Sequence, residues 1–317
     1  MKIRFGYVAI ALNLDKVTSS STLTYSRYLK LNEKERLDKL KSVTYSNIEA
    51  LEKILLYNID NKIHFYRITS ALIPLATHLE VKWDFMKYFK QDFIHLGKII
   101  KENDLRVDFH PDQFNVLNSD RESVVLNTIE SLKFQSSLFD AMNYDEGKLV
   151  LHIGGAKGGK DEAIKRFINN LEMLPIKVKN RLIIENDDKT FTALETLNLC
   201  RKTNLPMVLD VHHHNCNNDF DNLEEILKEI FDTWNNQLLP PKIHFSSPRE
   251  FENDKKHSDY IDTDDFIKFL SLARKLNIDF DVMIEAKSKD LALFDLINNL
   301  KEKSKKIEFI DNSTIKL

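Results

Sequence analysis

The sequence predicts a single-domain (β/α)8 TIM barrel spanning residues 1–317. Three observations predict it. Eight short apolar runs alternate with eight amphipathic helical patterns. No linker, composition break or internal repeat interrupts the rhythm. His, Asp and Glu residues gather at the C-terminal ends of six consecutive runs, the face where barrels carry their active sites. A doubly wound open sheet is the alternative reading of the same alternation.

The first strand is read over Ile3 to Val8. Asp15 to Asn32 forms a long first connection, which in a barrel lies on the catalytic face. Lys34 to Tyr57 follows as an amphipathic helix, with Val43, Ile48, Leu51, Ile54 and Leu55 on its apolar side. Strand two is Phe65 to Ile68, and the helix after it, Trp83 to Ile100, gathers Phe85, Met86, Phe89, Phe93 and Leu96 on one face. Strand three, Arg106 to His110, leads to helix Arg121 to Met142; strand four, Lys148 to Ile153, leads to Asp161 to Leu171. Strand five is Leu182 to Glu185, followed by helix Ala193 to Lys202. Strand six is Met207 to Asp210, followed by helix Leu223 to Phe231. Strand seven is Lys242 to Phe245; Asp264 then marks the start of a helix running to Leu276. Strand eight, Asp281 to Glu285, and helix Leu291 to Glu302 complete the set. The runs are short and mostly apolar, as expected of parallel strands buried on both faces.

Composition bounds the setting. Barrels need about 250 residues, and 317 leave room for long loops. Hydrophobic residues at 42% and charged residues at 30% describe a globular, soluble chain. The N-terminus has no signal-peptide pattern, and no apolar run approaches the ~20 residues of a membrane helix. The two cysteines, Cys200 and Cys216, suggest no disulfide framework, so the expectation is a reducing, cytoplasmic location. A net charge of −3 gives no bulk attraction for nucleic acid. A polyanion would need a local source of positive potential, and bound metal ions are one.

The strand ends carry the chemistry. Strand three ends in His110, strand four carries His152, and strand five ends in Glu185. Strand six ends in Asp210, followed by His212, His213 and His214; strand seven contains Lys242 and His244, and strand eight ends in Glu285. Taken singly, a strand-end histidine is more often a satisfied structural group. Taken together, so many carboxylates and imidazoles are costly to bury unless paired or bound to metal. The mixture of nitrogen and oxygen donors suits Mn, Zn, Fe or Co better than an all-oxygen Mg or Ca site. There are more donors than one ion needs, which predicts two or three ions. His78, in the loop after strand two, and His257, in the loop after strand seven, lie on the same rim. His64 and His95 fall elsewhere and are read as structural.

Lys242 is a cation among metal ligands: it either pairs with a carboxylate or carries a carbamate that makes it an anionic ligand. The residues alone favour pairing. Gly154 to Asp161 reads GGAKGGKD and matches part of a P-loop, but Asp161 stands where Ser or Thr binds magnesium. The glycines are better read as letting a phosphate backbone approach the main chain.

The segments FGY, FYRITSALIPLATH, DFHPDQF, LVLHIGGAKGGK, LIIENDDK, LDVHHHN, PKIHFSS and VMIEAK, in this order from Phe5 to Lys287, resemble the UV damage endonucleases. Their wider superfamily includes endonuclease IV and xylose isomerase. The resemblance implies a metal-dependent DNA repair endonuclease acting on damaged double-stranded DNA, and a monomer. It would cut 5′ to cyclobutane pyrimidine dimers and 6-4 photoproducts, and at abasic sites, leaving a 3′-hydroxyl and a 5′-phosphate. It implies up to three divalent ions, manganese first, with Zn, Co or Mg as other candidates. The matching ligand positions are His78, His110, His152, Glu185, Asp210, His213, His244, His257 and Glu285, with Glu185, Glu285 and Lys242 catalytic. Lys242 matches a lysine that can be carboxylated, which reverses the ranking of its two readings. Gln113 and Phe114 match the pair that probes the duplex at the lesion, and Tyr7 matches a residue that stacks near it. Phe114 is often Tyr in relatives. Some relatives carry Asn at the position of Ala11; here Asn13 lies nearby.

Phosphodiester hydrolysis needs an activated water and stabilised charge, both of which clustered metals supply. A damaged pair stacks poorly and is cheaper to extrude. Backbone contacts are expected from among Arg67, Lys157, Lys160, Lys189, Lys255, Lys256, Lys287 and Lys289. A sugar isomerase of the same superfamily would instead have a closed pocket, no exposed aromatic wedge and no DNA affinity.

Overall fold

The computed structural model describes residues 1–218 and 222–317. Eight parallel strands form a closed ring: β1 (Lys2–Val8), β2 (Phe65–Ile68), β3 (Arg106–Phe109), β4 (Lys148–His152), β5 (Leu182–Glu185), β6 (Met207–Asp210), β7 (Lys242–Phe245) and β8 (Phe280–Ile284). β1 pairs with both β8 and β2, which excludes the open sheet. Gly6 stands opposite Phe65 at this closure, where a Cβ would lie 2.2 Å from the Phe65 carbonyl oxygen.

The helices follow the strands as the apolar periodicities predict. α1 (Tyr25–Leu29) lies in the long first connection, before α2 (Glu33–Asp60). The succeeding helices are α3 (Met86–Glu102), α4 (Glu122–Ala141), α5 (Lys160–Leu171), α6 (Ile176–Lys179), α7 (Ala193–Thr203), α8 (Val211–Cys216), α9 (Leu223–Asp232), α10 (Thr263–Ala273) and α11 (Lys289–Lys303). Side-chain caps fix several starts. Asn32 with Glu35, and Thr192 with Glu195, form reciprocal capping boxes on α2 and α7. The short helices α1, α6 and α8 fall below the length at which periodicity is readable. A C-terminal hairpin, β9 (Glu308–Phe309) and β10 (Thr314–Lys316), adds antiparallel pairs beside the start of β1 and was likewise too short to predict.

Alternate residues of each strand divide two environments. Outward residues such as Ile3, Phe5 and Tyr7 join the large core between barrel and helices. Inside the barrel, Val150, Ile183, Val208 and Trp234 form a small separate apolar layer. Below it the interior is charged. Arg4 and Arg106 both bind Asp281, at 2.7 Å each, and Arg106 also lies over the rings of Phe65 and Trp234. Above it stand the predicted ligands. No described helix is long and apolar enough to cross a membrane.

Candidate metal centre

The inward positions at the ends of β3, β4, β5, β6, β7 and β8 bring His110, His152, Glu185, Asp210, His244 and Glu285 together. They form two groups whose donor atoms lie within 4.8 Å of one another: His110, His152 and Glu185; and Glu185, Asp210, His244 and Glu285. Glu185 belongs to both. One of its oxygens lies 2.9 Å from His110 Nε2 and 3.6 Å from His152 Nε2. The other lies 2.9 Å from His244 Nδ1 and 3.5 Å from His213 Nδ1. His244 Nδ1 is also 3.0 Å from Glu285 Oε1.

Local structure explains the placement. Asp210 ends β6 and accepts the His213 backbone N–H at 2.7 Å, so the ligand also caps α8. This cap turns His213 inward, with Nδ1 3.8 Å from Asp210 Oδ2. Asn186, which sequence reasoning overlooked, binds both backbone groups of Asp210 with its amide, at 2.9 and 3.0 Å. Its only sequence signal is a polar residue directly after a strand-end carboxylate.

The electrostatics ask for cations. Burial alone would raise the Glu185 pKa, but His244, His152 and His110 hold it well below the usual carboxylate range. Glu285 is likewise depressed against its burial, chiefly by Arg67 and then His244. His213 is raised to about 9: burial opposes its charge, and Asp210, Glu185 and Glu285 overcome it. Among the described residues, buried Glu185 and Asp210 and half-buried Glu285 face the guanidinium of Arg67, whose Nη1 donates to Glu285 Oε1 at 2.6 Å. Asp210 Oδ2 and His152 Nδ1 are buried without a hydrogen-bond partner. A converging nitrogen and oxygen donor set with excess negative charge and orphaned donor atoms fits divalent metal ions.

Other predicted residues fall at varying distance from this centre. His257 stands at its edge, with Nδ1 2.9 Å from the Glu285 carbonyl oxygen and its ring 6.2 Å from that of His213. His212 and His214 are buried. His78 is not brought to either group: its ring stacks on Tyr25 at 4.0 Å and its Nδ1 accepts from the Glu80 N–H. Tyr7, expected near the lesion, lies elsewhere than the ligand rim's inward face. Strand alternation turns it outward, where it is fully buried and donates to Asn58 Oδ1 at 2.7 Å. Asn13 is spent on the first loop, binding Asp290 and Tyr57. His64 and His95 pair with Asp311 and Glu52, as structural histidines do.

Lys242 is inside the barrel beneath His244, fully buried, and donates to Asp108 Oδ2 at 2.6 Å. Burial lowers its pKa to about 8, against the opposing effect of Asp108. The pairing favoured by residue chemistry is therefore present, and the amine is also easier to neutralise than an exposed lysine.

The rim beside the metal centre is open. A cavity of about 460 Å³ is lined by Arg67, Ser70, His110, Gln113 and Phe114 among others. Gln113 is exposed and Phe114 is 79% exposed, so Phe114 is not a core residue. The glycine segment after β4 forms a loop rather than a P-loop. Gly154 (φ 109°) would drive a Cβ into Asn118, while Gly159 (φ 99°) leads into α5 with open space before it. Of the expected backbone-binding cations, Arg67 is committed to Glu285, Lys157 to Asp120, Lys160 to Glu195 and Lys255 to Asp188.

The sequence pattern of the UV-endonuclease UvdE family matches residues 3–316. The chain belongs to this family. A UV DNA damage endonuclease of Bacillus cereus is 43% identical over 301 residues, covering 95% of both chains. The crystal structure of SacUVDE superposes with a TM-score of 0.84 at 34% identity, over 95% of this chain and 98% of that one. Endonuclease IV from Thermus thermophilus shares the fold, with a TM-score of 0.59 at 13% identity over 94% of this chain and 99% of that one. This UvdE-family chain is thus a (β/α)8 barrel of a DNA repair endonuclease family, with a clustered site able to hold metal.

Proposed function

We propose that the chain is a metal-dependent endonuclease that hydrolyses the phosphodiester 5′ to UV photoproducts in double-stranded DNA, and at abasic sites, leaving a 3′-hydroxyl and a 5′-phosphate. The observation that carries this reading is Glu185 shared between two ligand groups at an open barrel mouth, beside an exposed aromatic. Bound divalent ions, manganese first and up to three in number, would supply Lewis acidity and an activated water. His110, His152 and Glu185 would hold one ion, and Glu185, Asp210, His244 and Glu285 a second. His213 and His257 offer donors for a third.

The chain's own groups do the rest. Arg67 fixes Glu285 and offsets part of the carboxylate charge that would repel a phosphate. Asn186 and the α8 cap orient Asp210. Lys242 as a cation neutralises Asp108 below the site; its pKa of about 8 makes the neutral amine that a carbamate requires more accessible than in an exposed lysine, the carbamate replacing that pairing. Gln113 and Phe114 stand where a weakly stacked pair is displaced from the duplex, so discrimination follows deformability. The glycine loop after β4 lets backbone approach main chain. The protein is read as a cytoplasmic monomer. Nicking of irradiated against untreated plasmid, with and without chelator, tests the reading.

A further inference from the structure

We infer that α1, the start of α2 and the start of α3 form a second DNA-binding surface that holds the duplex flank on the Phe114 side of the metal centre. The inference rests on the reading of the chain as a DNA endonuclease.

Charge is the first observation. The chain carries a net −3, yet Tyr25 to Lys41 contains six basic and three acidic residues. Arg27, Lys30 and Lys34 are exposed there, as is Lys82 in the approach to α3, and none of the four has an ion pair among the described residues. Of the cations expected near the site, Arg67, Lys157, Lys160 and Lys255 are engaged by carboxylates, while Lys189, Lys256, Lys287 and Lys289 share with the four patch residues the lack of an ion pair among the described residues. A free basic patch on an acidic protein is an electrostatic footprint for a polyanion.

Rigidity is the second. Arg36 ties the end of α1 to α2, with Nε and Nη2 donating to the Tyr28 and Leu29 carbonyl oxygens at 3.1 and 3.0 Å. Its guanidinium lies 4.9 Å from the centre of the Tyr28 ring. Tyr28 stacks on Tyr25 at 6.0 Å, Tyr25 stacks on His78 at 4.0 Å, and the Tyr25 hydroxyl donates to Glu80. Lys41 lies 4.8 Å from the Tyr88 ring centre, joining α2 to α3. The cations are thus displayed on a surface already ordered, so binding has less side-chain and loop freedom to lose.

Continuity is the third. His78, Leu79 and Glu80 line a cavity of about 560 Å³ that shares Ser70 and Asp112 with the cavity beneath Phe114. The second cavity reaches Arg67 and His110 at the metal centre. One path therefore runs from the ligand rim past Phe114 and His78 to the basic surface. A duplex whose scissile phosphate lies over the ligands has its flank on this path. Lysines and arginines that face phosphates position DNA without reading its sequence.

The test is the Arg27→Ala/Lys30→Ala/Lys34→Ala variant, measured by equilibrium binding to a duplex with one photoproduct across a salt series, and by nicking at saturating substrate. The expected result is at least ten-fold weaker binding at low salt. The slope of log affinity against log salt should fall by about 2 to 3, close to 0.9 per lost phosphate contact. The nicking rate at saturation stays within two-fold. Shortening the duplex on one flank should weaken the wild type and leave the variant nearly unchanged. The same three-alanine change at Lys301, Lys303 and Lys305, at and just beyond the C-terminal end of α11, is the control for bulk charge and should leave the slope unaltered. An unchanged slope in the α1–α2 variant, or an equal fall in the control, overturns the inference. Failure of the wild type to bind or nick the damaged duplex would instead refute the endonuclease reading beneath it.

Discussion

Glu185 Oε1 lies 2.9 Å from His244 Nδ1, and both side chains are almost wholly buried. The contact joins β5 to β7 across the barrel mouth, while the second Glu185 oxygen reaches His110 on the far side. One carboxylate therefore spans both ligand groups, and the site depends on it more than on any single histidine.

Glu185→Gln keeps the shape but removes the charge that two ion sites would share. It should abolish nicking while leaving affinity for damaged DNA within a few fold. Metal content, measured by elemental analysis after dialysis against manganese, should fall by at least one ion per chain. Normal activity in this variant would take Glu185 out of the reaction.

Lys242 and Asp108 form a buried pair, and breaking one member leaves the other uncompensated. Lys242→Met alone should destabilise the fold by about 3–5 kcal/mol, with much of that recovered in Lys242→Met/Asp108→Asn. Denaturant unfolding of the metal-free proteins checks it. Intact-mass measurement of the wild type in bicarbonate tests the carbamate: an increment of one carbon dioxide that is lost in Lys242→Met supports it.

Phe114 is an exposed aromatic beside a ligand histidine. Phe114→Ala should lower the ratio of cutting on damaged to undamaged duplex by about five-fold or more, the effect of losing one stacking or wedging ring. Thermal stability should change little, because the ring makes almost no core contact. Competition nicking of mixed substrates reads the ratio directly.

Lys148 predicts a pH effect on stability away from the metal centre. Burial first, then Arg106 and Arg181, lowers its pKa to about 8 in the folded chain, below the ordinary 10.5. Between those values the unfolded chain binds more protons, so this residue's contribution to stability rises with pH. Below about pH 8 the charged amine is buried at full cost. Above pH 10 the buried hydroxyls of Tyr66 and Tyr144, pushed up by burial, act in the opposite direction. Across about pH 8 to 9.5, Lys148→Met should therefore gain less stability than the wild type, by up to about 1.4 kcal/mol per pH unit. Equal slopes in chemical unfolding would reject the assignment.

The parts of the molecule that were legible in the sequence share a physical cause. Parallel strands buried on both faces leave short apolar runs, and a ligand at a strand end interrupts the run visibly, as Glu185 and Asp210 do. Side-chain direction was less legible. Tyr7 closes a strand like the ligands do, but its alternation parity sends it to the helix side, and an aromatic fits either face. His78 lies in a loop, where spacing says nothing about distance, and its stack on Tyr25 depends on a partner 53 positions earlier in the chain. The Arg67–Glu285 and Lys242–Asp108 pairs join strands distant in sequence, so only closure of the barrel reveals them.

The most direct measurement is a nicking assay on UV-irradiated and untreated supercoiled plasmid, with the protein loaded with manganese and again after chelation. Nicking of irradiated plasmid alone is expected, with its loss in chelator and its return with added manganese. The nicked ends should carry a 3′-hydroxyl that a polymerase extends. Equal cutting of both plasmids, or cutting that survives complete metal removal, would contradict it.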